Sequence, residues 1–353
     1  MTEYGHGGDI YSQEVWLDFS ANINPLGMPE GVKEAIRRGV EQAAPYPDAA
    51  CRRLRAALGE FYGVERDEII CGNGAADLIF QLALARRPRR ALVTAPSFSE
   101  YEQALEVCGA QVRRCALREE RGFAFDLEEW MGEAEAWKPD LAFFCNPNNP
   151  TGLAERRETV EEMARFCGER GIFLVVDECF GEFLDEPESC SILGELGHFP
   201  GVFVLKAFTK LYAMAGVRLG YGFCSDSSVL EAMEAVRQPW SVSTLAQEAG
   251  IAALKETEYV EETRHMIRRQ RDFLKDGLRE LGFEVWDSQA NYLFFRGREG
   301  WKEDLLRRKI LIRSCANYPG LDGRYYRTCV RTGEDNEKLL RELRNIAEKG
   351  RTV

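Results

Sequence analysis

Lys210 and Arg218 are the first candidates for chemistry. Lys210 follows an apolar run at residues 202–205, and Arg218 stands between Gly216 and Gly220. A lysine amine can form an imine with an aldehyde, and an arginine fork can clamp a phosphate. A lone lysine is usually a solvated surface residue; the glycine-flanked arginine after it sets this one apart. Asp177 ends a second apolar run, residues 172–176. A half-buried carboxylate there needs a partner. That partner is a cationic ligand nitrogen or, more plainly, a helix N-terminus or a surface ion pair. Asn146-Pro147-Asn148-Asn149-Pro150-Thr151-Gly152 follows the run 141–145. Its prolines fix a loop in which an asparagine can bond a ligand oxygen; a bare strand-to-helix turn is the other reading. Gly72-Asn73-Gly74-Ala75-Ala76-Asp77 precedes a helical stretch. Small residues opening a helix expose amides that favour an anion, although plain glycine turns are common there too.

Each of these features lies at the end of an extended run or in the loop after it. An open α/β sheet places its ligands at such positions. The runs at 91–95, 111–117, 141–145, 172–176, 202–205 and 219–224 read as strands. Between them fall helices at 100–108, from 127 onward with Asp126 as cap, and at 155–170 closed by Gly171. Continuous apolar strands separated by helices predict an α/β fold with a mostly parallel central sheet and helices on both faces. The last third differs. A long charged helix over 243–281 precedes strands at 292–295, 310–313 and 325–330 and a helix from 334, which predicts a smaller α+β domain. The expected division is an N-terminal segment (1–40) packing with the small domain, a large domain (41–240) and a small domain (241–353) joined through the long helix.

The chain has 353 residues and a net charge of −12. Such a chain repels a phosphate backbone, which argues against nucleic acid as partner. Any anionic ligand must be held by local cations against the global field. The eleven cysteines form no C-x-x-C pair and many sit in apolar runs. They read as free thiols and point to the cytoplasm. Residues 1–9 are polar and lack the apolar stretch of a leader, and no run suggests a membrane span. No metal is implied.

The order of glycine loop, Asn-Pro loop, strand-end aspartate, lysine and arginine resembles the fold-type I pyridoxal-5′-phosphate (PLP) enzymes over nearly the whole chain. Within them the sequence looks like the branch holding the histidinol-phosphate aminotransferase and L-threonine-O-3-phosphate decarboxylase families. Three stretches favour the decarboxylases: His6-Gly7-Gly8-Asp9 with residues 17–27, then Gln238-Pro239-Trp240-Ser241-Val242, then residues 310–321 with Arg324-Tyr325-Tyr326-Arg327. The resemblance implies PLP as cofactor, with Lys210 as the Schiff-base lysine and Asp177 on the pyridine nitrogen. It implies that Asn149 contacts the ring hydroxyl, that Phe98 stacks on the ring, and that Arg218 with the amides of Gly74, Ala75 and Ala76 holds the phosphate. Tyr46 would reach the phosphate of a neighbouring subunit, implying a homodimer with shared sites. His6, Asn24, Arg313 and Arg327 would line the substrate site, the arginines suiting an amino-acid phosphate with two anionic ends. The sequence departs from the pattern at Phe180, where the aminotransferases usually carry Tyr, and at Asp9, where Asn is more usual. It departs again at Ala207, where a phosphate-binding hydroxyl is usual and Thr209 is left to compensate. The implied reaction is decarboxylation of L-threonine O-3-phosphate to (R)-1-amino-2-propanol O-2-phosphate, a cobalamin precursor. Alternatives are an aminotransferase for histidinol phosphate or a similar amino acid, and a non-catalytic PLP-fold binding protein.

Overall fold

A computed structural model describes residues 5–350; residues 1–4 and 351–353, the ends of the expected N-terminal segment and small domain, lie outside the described residues. The first half contains β1 (Leu17–Asp18), α1 (Glu30–Glu41), α2 (Arg52–Tyr62), β2 (Ile69–Gly72), α3 (Ala75–Arg86), β3 (Arg90–Ala95), α4 (Glu100–Val107), β4 (Gln111–Ala116), α5 (Leu127–Trp137), β5 (Leu141–Cys145), α6 (Arg157–Arg170) and β6 (Phe173–Asp177). There follow β7 (Val202–Ala207), β8 (Gly220–Phe223), α7 (Ser227–Val236), α8 (Thr244–Ala253), α9 (Thr257–Glu280), β9 (Glu284–Val285), β10 (Tyr292–Arg296), α10 (Trp301–Leu306), β11 (Ile310–Leu311), β12 (Arg313–Ser314), β13 (Tyr325–Cys329) and α11 (Gly333–Gly350).

Seven strands form the central sheet in the order β2-β8-β7-β6-β5-β3-β4. Only β8 runs antiparallel to its neighbours, so the sheet is mostly parallel as expected. The strand sequences explain the layers. Leu141, Phe143, Phe173 and Val175 feed one core together with Leu82 and Tyr101. Ala142, Phe144, Leu174 and Val176 feed a second core with Leu54 and Met163. Alternate side chains are apolar on both sides, so helices cover both faces. Asp126 caps α5 as expected, accepting from Glu129 N at 2.9 Å.

The C-terminal part has its own antiparallel sheet, β12-β13-β10-β9, and a two-stranded parallel ribbon of β1 and β11. The strand expected at 310–313 is therefore two. Ile310–Leu311 pairs with β1, and Arg313–Ser314 pairs with β13. The helix expected over 243–281 is also two, α8 and α9, broken around Leu254. The break has a packing cause. Ala246, Ala249 and Ala253 of α8 lie in the core with Leu54 and Val32. The chain must turn there before α9 can reach the core formed by Leu274, Leu278 and Tyr326. Val32 of α1 and the buried alanines of α8 thus join the large sheet's core, whereas β1 joins the small sheet's side. The boundaries expected at 40/41 and 240/241 cut through that packing.

All eleven cysteines are free, and nine of them are buried. Among the described residues no helix is long and apolar enough to cross a membrane.

Candidate active site

Strands β5, β6 and β7 are parallel neighbours, so their C-terminal ends lie side by side. A cleft of about 280 Å³ opens at these ends. Asp177 is the last residue of β6, and Lys210 lies in the turn between β7 and β8. Both reach the cleft, as does Asn149 from the loop after β5. The asparagines of that loop divide the work. Asn146 Nδ2 donates to Glu155 O and Cys190 O at 3.0 and 3.1 Å, and Asn148 Nδ2 donates to Thr151 Oγ1 at 3.0 Å. These two hold the loop and leave Asn149 to face the cleft.

Lys210 Nζ has no hydrogen-bond or ion-pair partner among the described residues. It is the single lysine on the cleft walls. Burial, with the guanidinium of Arg327 and then that of Arg218, brings its pKa down to about 8, against the pull of Cys179 and Glu100. Its free amine therefore prevails from about pH 8 upward, well below the usual lysine range. Asp177 is buried and has no cation within ion-pair distance among the described residues. Tyr101 Oη donates to its Oδ2 at 2.5 Å and Cys179 N to its Oδ1 at 2.9 Å. Burial raises its pKa, against hydrogen bonding from the Cys179 thiol, from Tyr101 and from the Cys179 amide. A buried carboxylate in that state is stabilised by a cation brought to it.

Gly74 precedes α3 with φ +90°. A side chain there would collide with the guanidinium of Arg218, and one at Gly220 would strike Ala75 N and Gly74 C. Only glycines allow this close approach, which leaves the first amides of α3 beside Arg218. Ala75, Ala76, Thr209 and Arg218 line the cleft, and Gly74 lies against the guanidinium of Arg218. Ala207 lines it too, with no hydroxyl to offer. The result is a small anion cradle of helix amides, a hydroxyl and a guanidinium. Phe98 forms part of the wall above it.

Arg327 crosses from β13. Its Nη2 donates to Ser20 O at 2.8 Å and its Nη1 to Asn149 Oδ1. The residue is only 6% exposed, and its Nε has no partner among the described residues. Among the described residues no carboxylate pairs with it. Arg313 reaches the same cleft and donates to Asn317 Oδ1 at 2.7 Å. His6 lies 3.1 Å from Glu100, whose carboxyl is buried and raised in pKa by that burial, against the His6 charge.

One residue expected in this cleft lies elsewhere, and Tyr46, expected at a neighbouring subunit's site, lies outside this one. Asn24 is buried away from the cleft, its Nδ2 donating to Leu211 O and Thr263 Oγ1 at 2.8 and 2.7 Å. Asn22 occupies the wall in its place. A two-residue offset in an irregular segment carries no periodic signal that could have separated them. Tyr46 is 77% exposed and stacks on Trp240 at 4.4 Å, so it does not enter the cleft of its own chain. The sequence reading missed Tyr101, Glu100 and Tyr318. Tyr101 had a usable signal, because a tyrosine in the first turn of the helix after β3 points back to the strand ends.

Comparison with known proteins agrees with this arrangement. The chain is 40% identical over 356 residues to threonine-phosphate decarboxylase of Salmonella typhimurium, covering 97% of this chain and 96% of that one. It is 34% identical over 342 residues to histidinol-phosphate aminotransferase 2 of Archaeoglobus fulgidus, covering 96% and 95%. The crystal structure of histidinol-phosphate aminotransferase from Clostridium acetobutylicum superposes with a TM-score of 0.88 at 31% identity, covering 94% of this chain and 99% of that one. The model of aminotransferase class I and II matches residues 14–343. The chain belongs to the aminotransferase class I and II family.

Proposed function

We propose that this protein is a PLP-dependent decarboxylase of L-threonine O-3-phosphate, yielding (R)-1-amino-2-propanol O-2-phosphate and CO2. The observation that carries the reading is Arg327: a buried guanidinium bonded only to neutral oxygens, with an orphaned Nε, beside Arg313 in the same cleft. A buried cation without a carboxylate calls for an anionic ligand. The 40% identity to the Salmonella decarboxylase supports the reaction class. Phe180 on the cleft wall, where the aminotransferase branch usually carries a tyrosine, supports the same choice.

PLP fits the donor set. Asp177 is a carboxylate in need of a cation, Lys210 an unpaired amine, and the Gly74–Ala76 cradle an anion site. Asn149 would meet the ring hydroxyl, Phe98 the ring face, and Thr209 and Arg218 the phosphate. When bound, PLP supplies an aldehyde for amines and a protonated ring that accepts the electron pair released at the substrate Cα. The remaining work belongs to the chain. Asp177, as a carboxylate, keeps the ring nitrogen protonated. Arg327 and Arg313 hold the substrate's anionic ends, and His6 stands at the mouth of the cleft. By orienting the substrate's carboxylate, the two arginines would make the Cα–carboxylate bond, rather than the Cα–H bond, the one to break, releasing CO2. Lys210 Nζ then returns a proton to Cα. The free thiols support a reducing, cytoplasmic setting. The exposed Tyr46–Trp240 stack supports a homodimer in which Tyr46 reaches the partner's cofactor phosphate.

Carboxyl-labelled L-threonine O-3-phosphate with CO2 trapping tests the reaction. Labelled CO2 is expected. Its absence, together with amino transfer from histidinol phosphate to a 2-oxo acid, would establish the aminotransferase instead. Arg327→Lys keeps the charge and loses the fork. A loss of at least ~10-fold in kcat/KM is expected, the worth of one charge-assisted hydrogen bond. Steady-state kinetics showing less than a threefold change would remove Arg327 from the substrate site.

A further inference from the structure

Behind the cleft, on the opposite face of the same strands, lies a set of buried charges that the proposed reaction does not use. Successive side chains of a strand face opposite ways. Asp177 and Ala207 face the cleft. Glu178 and Lys206 therefore share the other face. There Lys206 Nζ lies 3.2 Å from Glu178 Oε2 and 3.0 Å from Glu182 Oε1. The side chains of Lys206 and Glu178 are 4% and 2% exposed. Arg264 of α9 completes the set, with Nη2 3.1 Å from Glu182 Oε2 and Nε donating to Glu182 O at 2.9 Å. Two cations thus balance two carboxylates.

Each member is fixed from several sides. Ser191 Oγ and Ile192 N donate to Glu178 at 2.6 and 3.1 Å. Glu178 N donates to Leu205 O at 2.8 Å, so backbone and side chain both tie the end of β6 to β7. Burial alone would lower the pKa of Lys206, yet Glu182 and Glu178 hold it well above the ordinary lysine range. Along α9, Arg268 and Arg271 both grip Asp185, at 2.9 and 3.4 Å. The same helix then runs into the core beneath β13, where Leu274 and Leu278 meet Tyr326, the neighbour of Arg327.

We propose that Lys206 is a positioning residue. It fixes Asp177 against Lys210 and, through Glu182 and Arg264, fixes both against Arg327. In this way it sets whether the substrate's Cα–carboxylate bond or its Cα–H bond stands ready to break. The proposal rests on the decarboxylase reading. Its physical basis is that a buried carboxylate deprived of its cation pulls toward water and drags its segment with it. Segment 178–182 begins one residue past Asp177.

The test uses the holoenzyme with carboxyl-labelled L-threonine O-3-phosphate. Two quantities are followed: labelled CO2, and conversion of the bound cofactor to its amine form, which reports loss of the Cα proton instead. In Lys206→Met the ratio of the first to the second is expected to fall by at least ~10-fold, with kcat lowered and KM within about threefold. Amide exchange over residues 177–182 and 205–210 should quicken in the protein without substrate. Lys206→Arg keeps the charge and should restore the ratio to within about threefold of wild type. If Lys206→Met does not fold, Arg264→Met carries the same expectation, since its side chain is 27% exposed and its replacement leaves less buried charge unpaired. A folded Lys206→Met or Arg264→Met protein with the wild-type ratio overturns the proposal and leaves the decarboxylase reading standing. A wild-type protein that releases no CO2 overturns both.

Discussion

Lys210→Ala is expected to abolish turnover, to at least ~10⁴-fold below wild type, the scale on which removing a covalent catalyst acts. No other lysine among the described residues lines the cleft. Lys206, the nearest in sequence, is held as an ammonium by Glu178 and Glu182 on the far face of the sheet. Borohydride reduction of the wild-type holoenzyme should fix the cofactor to the peptide containing Lys210; a tag on any other lysine would remove the assignment. The pH behaviour follows from the same residue. Its pKa is depressed to about 8, so the ammonium prevails below that pH and the free amine above it. Covalent reloading of the cofactor-free protein should therefore accelerate as pH rises through about 8. A midpoint near the ordinary lysine value would mean that burial, with Arg327 and Arg218, does not depress Lys210.

Asp177→Asn is the second large effect. The amide cannot keep the ring nitrogen protonated. It also offers one acceptor where Tyr101 Oη and Cys179 N both donate. One donor is then orphaned, at about 1–3 kcal/mol. With the ring nitrogen no longer held protonated the electron sink weakens, and kcat is expected to fall by at least ~100-fold, about 2.7 kcal/mol in the barrier. The cofactor should still bind, because its phosphate cradle lies elsewhere. The measurement is kcat beside the cofactor absorbance of the purified variant. A loss of activity under tenfold would make Asp177 a structural residue that only anchors Tyr101 and the 177–179 turn.

The central sheet was legible because its strands carry uninterrupted apolar runs, and such runs need cover on both sides. The residues at the ends of those runs were legible for the same reason: Asp177, Asn149 and Lys210 are polar residues where an apolar pattern stops. Residues from irregular segments were not. Asn24 and Asn22 sit two apart in a stretch with no period, and only the packed structure tells that Asn24 is taken up by Leu211 and Thr263. The break between α8 and α9 was hidden because both halves have helical composition. What separates them is a change of packing partner, which one sequence does not display. The Lys206–Glu178 pair was hidden for a related reason: its members lie far apart in the chain and meet only through the register of β6 on β7.

The eleven unpaired thiols make the protein a reporter on its own opening. Nine are buried, leaving only Cys108 and Cys179 partly accessible. A thiol reagent meets buried sulfur only when the surrounding structure opens, so labelling counts openings rather than surface. Cys108 follows α4, remote from the strand ends, and its modification should be indifferent to cofactor. Cys179 lines the cleft beside Asp177, where burial pushes its pKa well up. Its slow modification should slow further when the cleft is filled. Eight of the nine buried sulfurs divide among the separate cores, with Cys167 under the large sheet and Cys329 beneath the small one. Mass-resolved labelling under mild denaturant would therefore show which half of the molecule yields first, with no probe introduced.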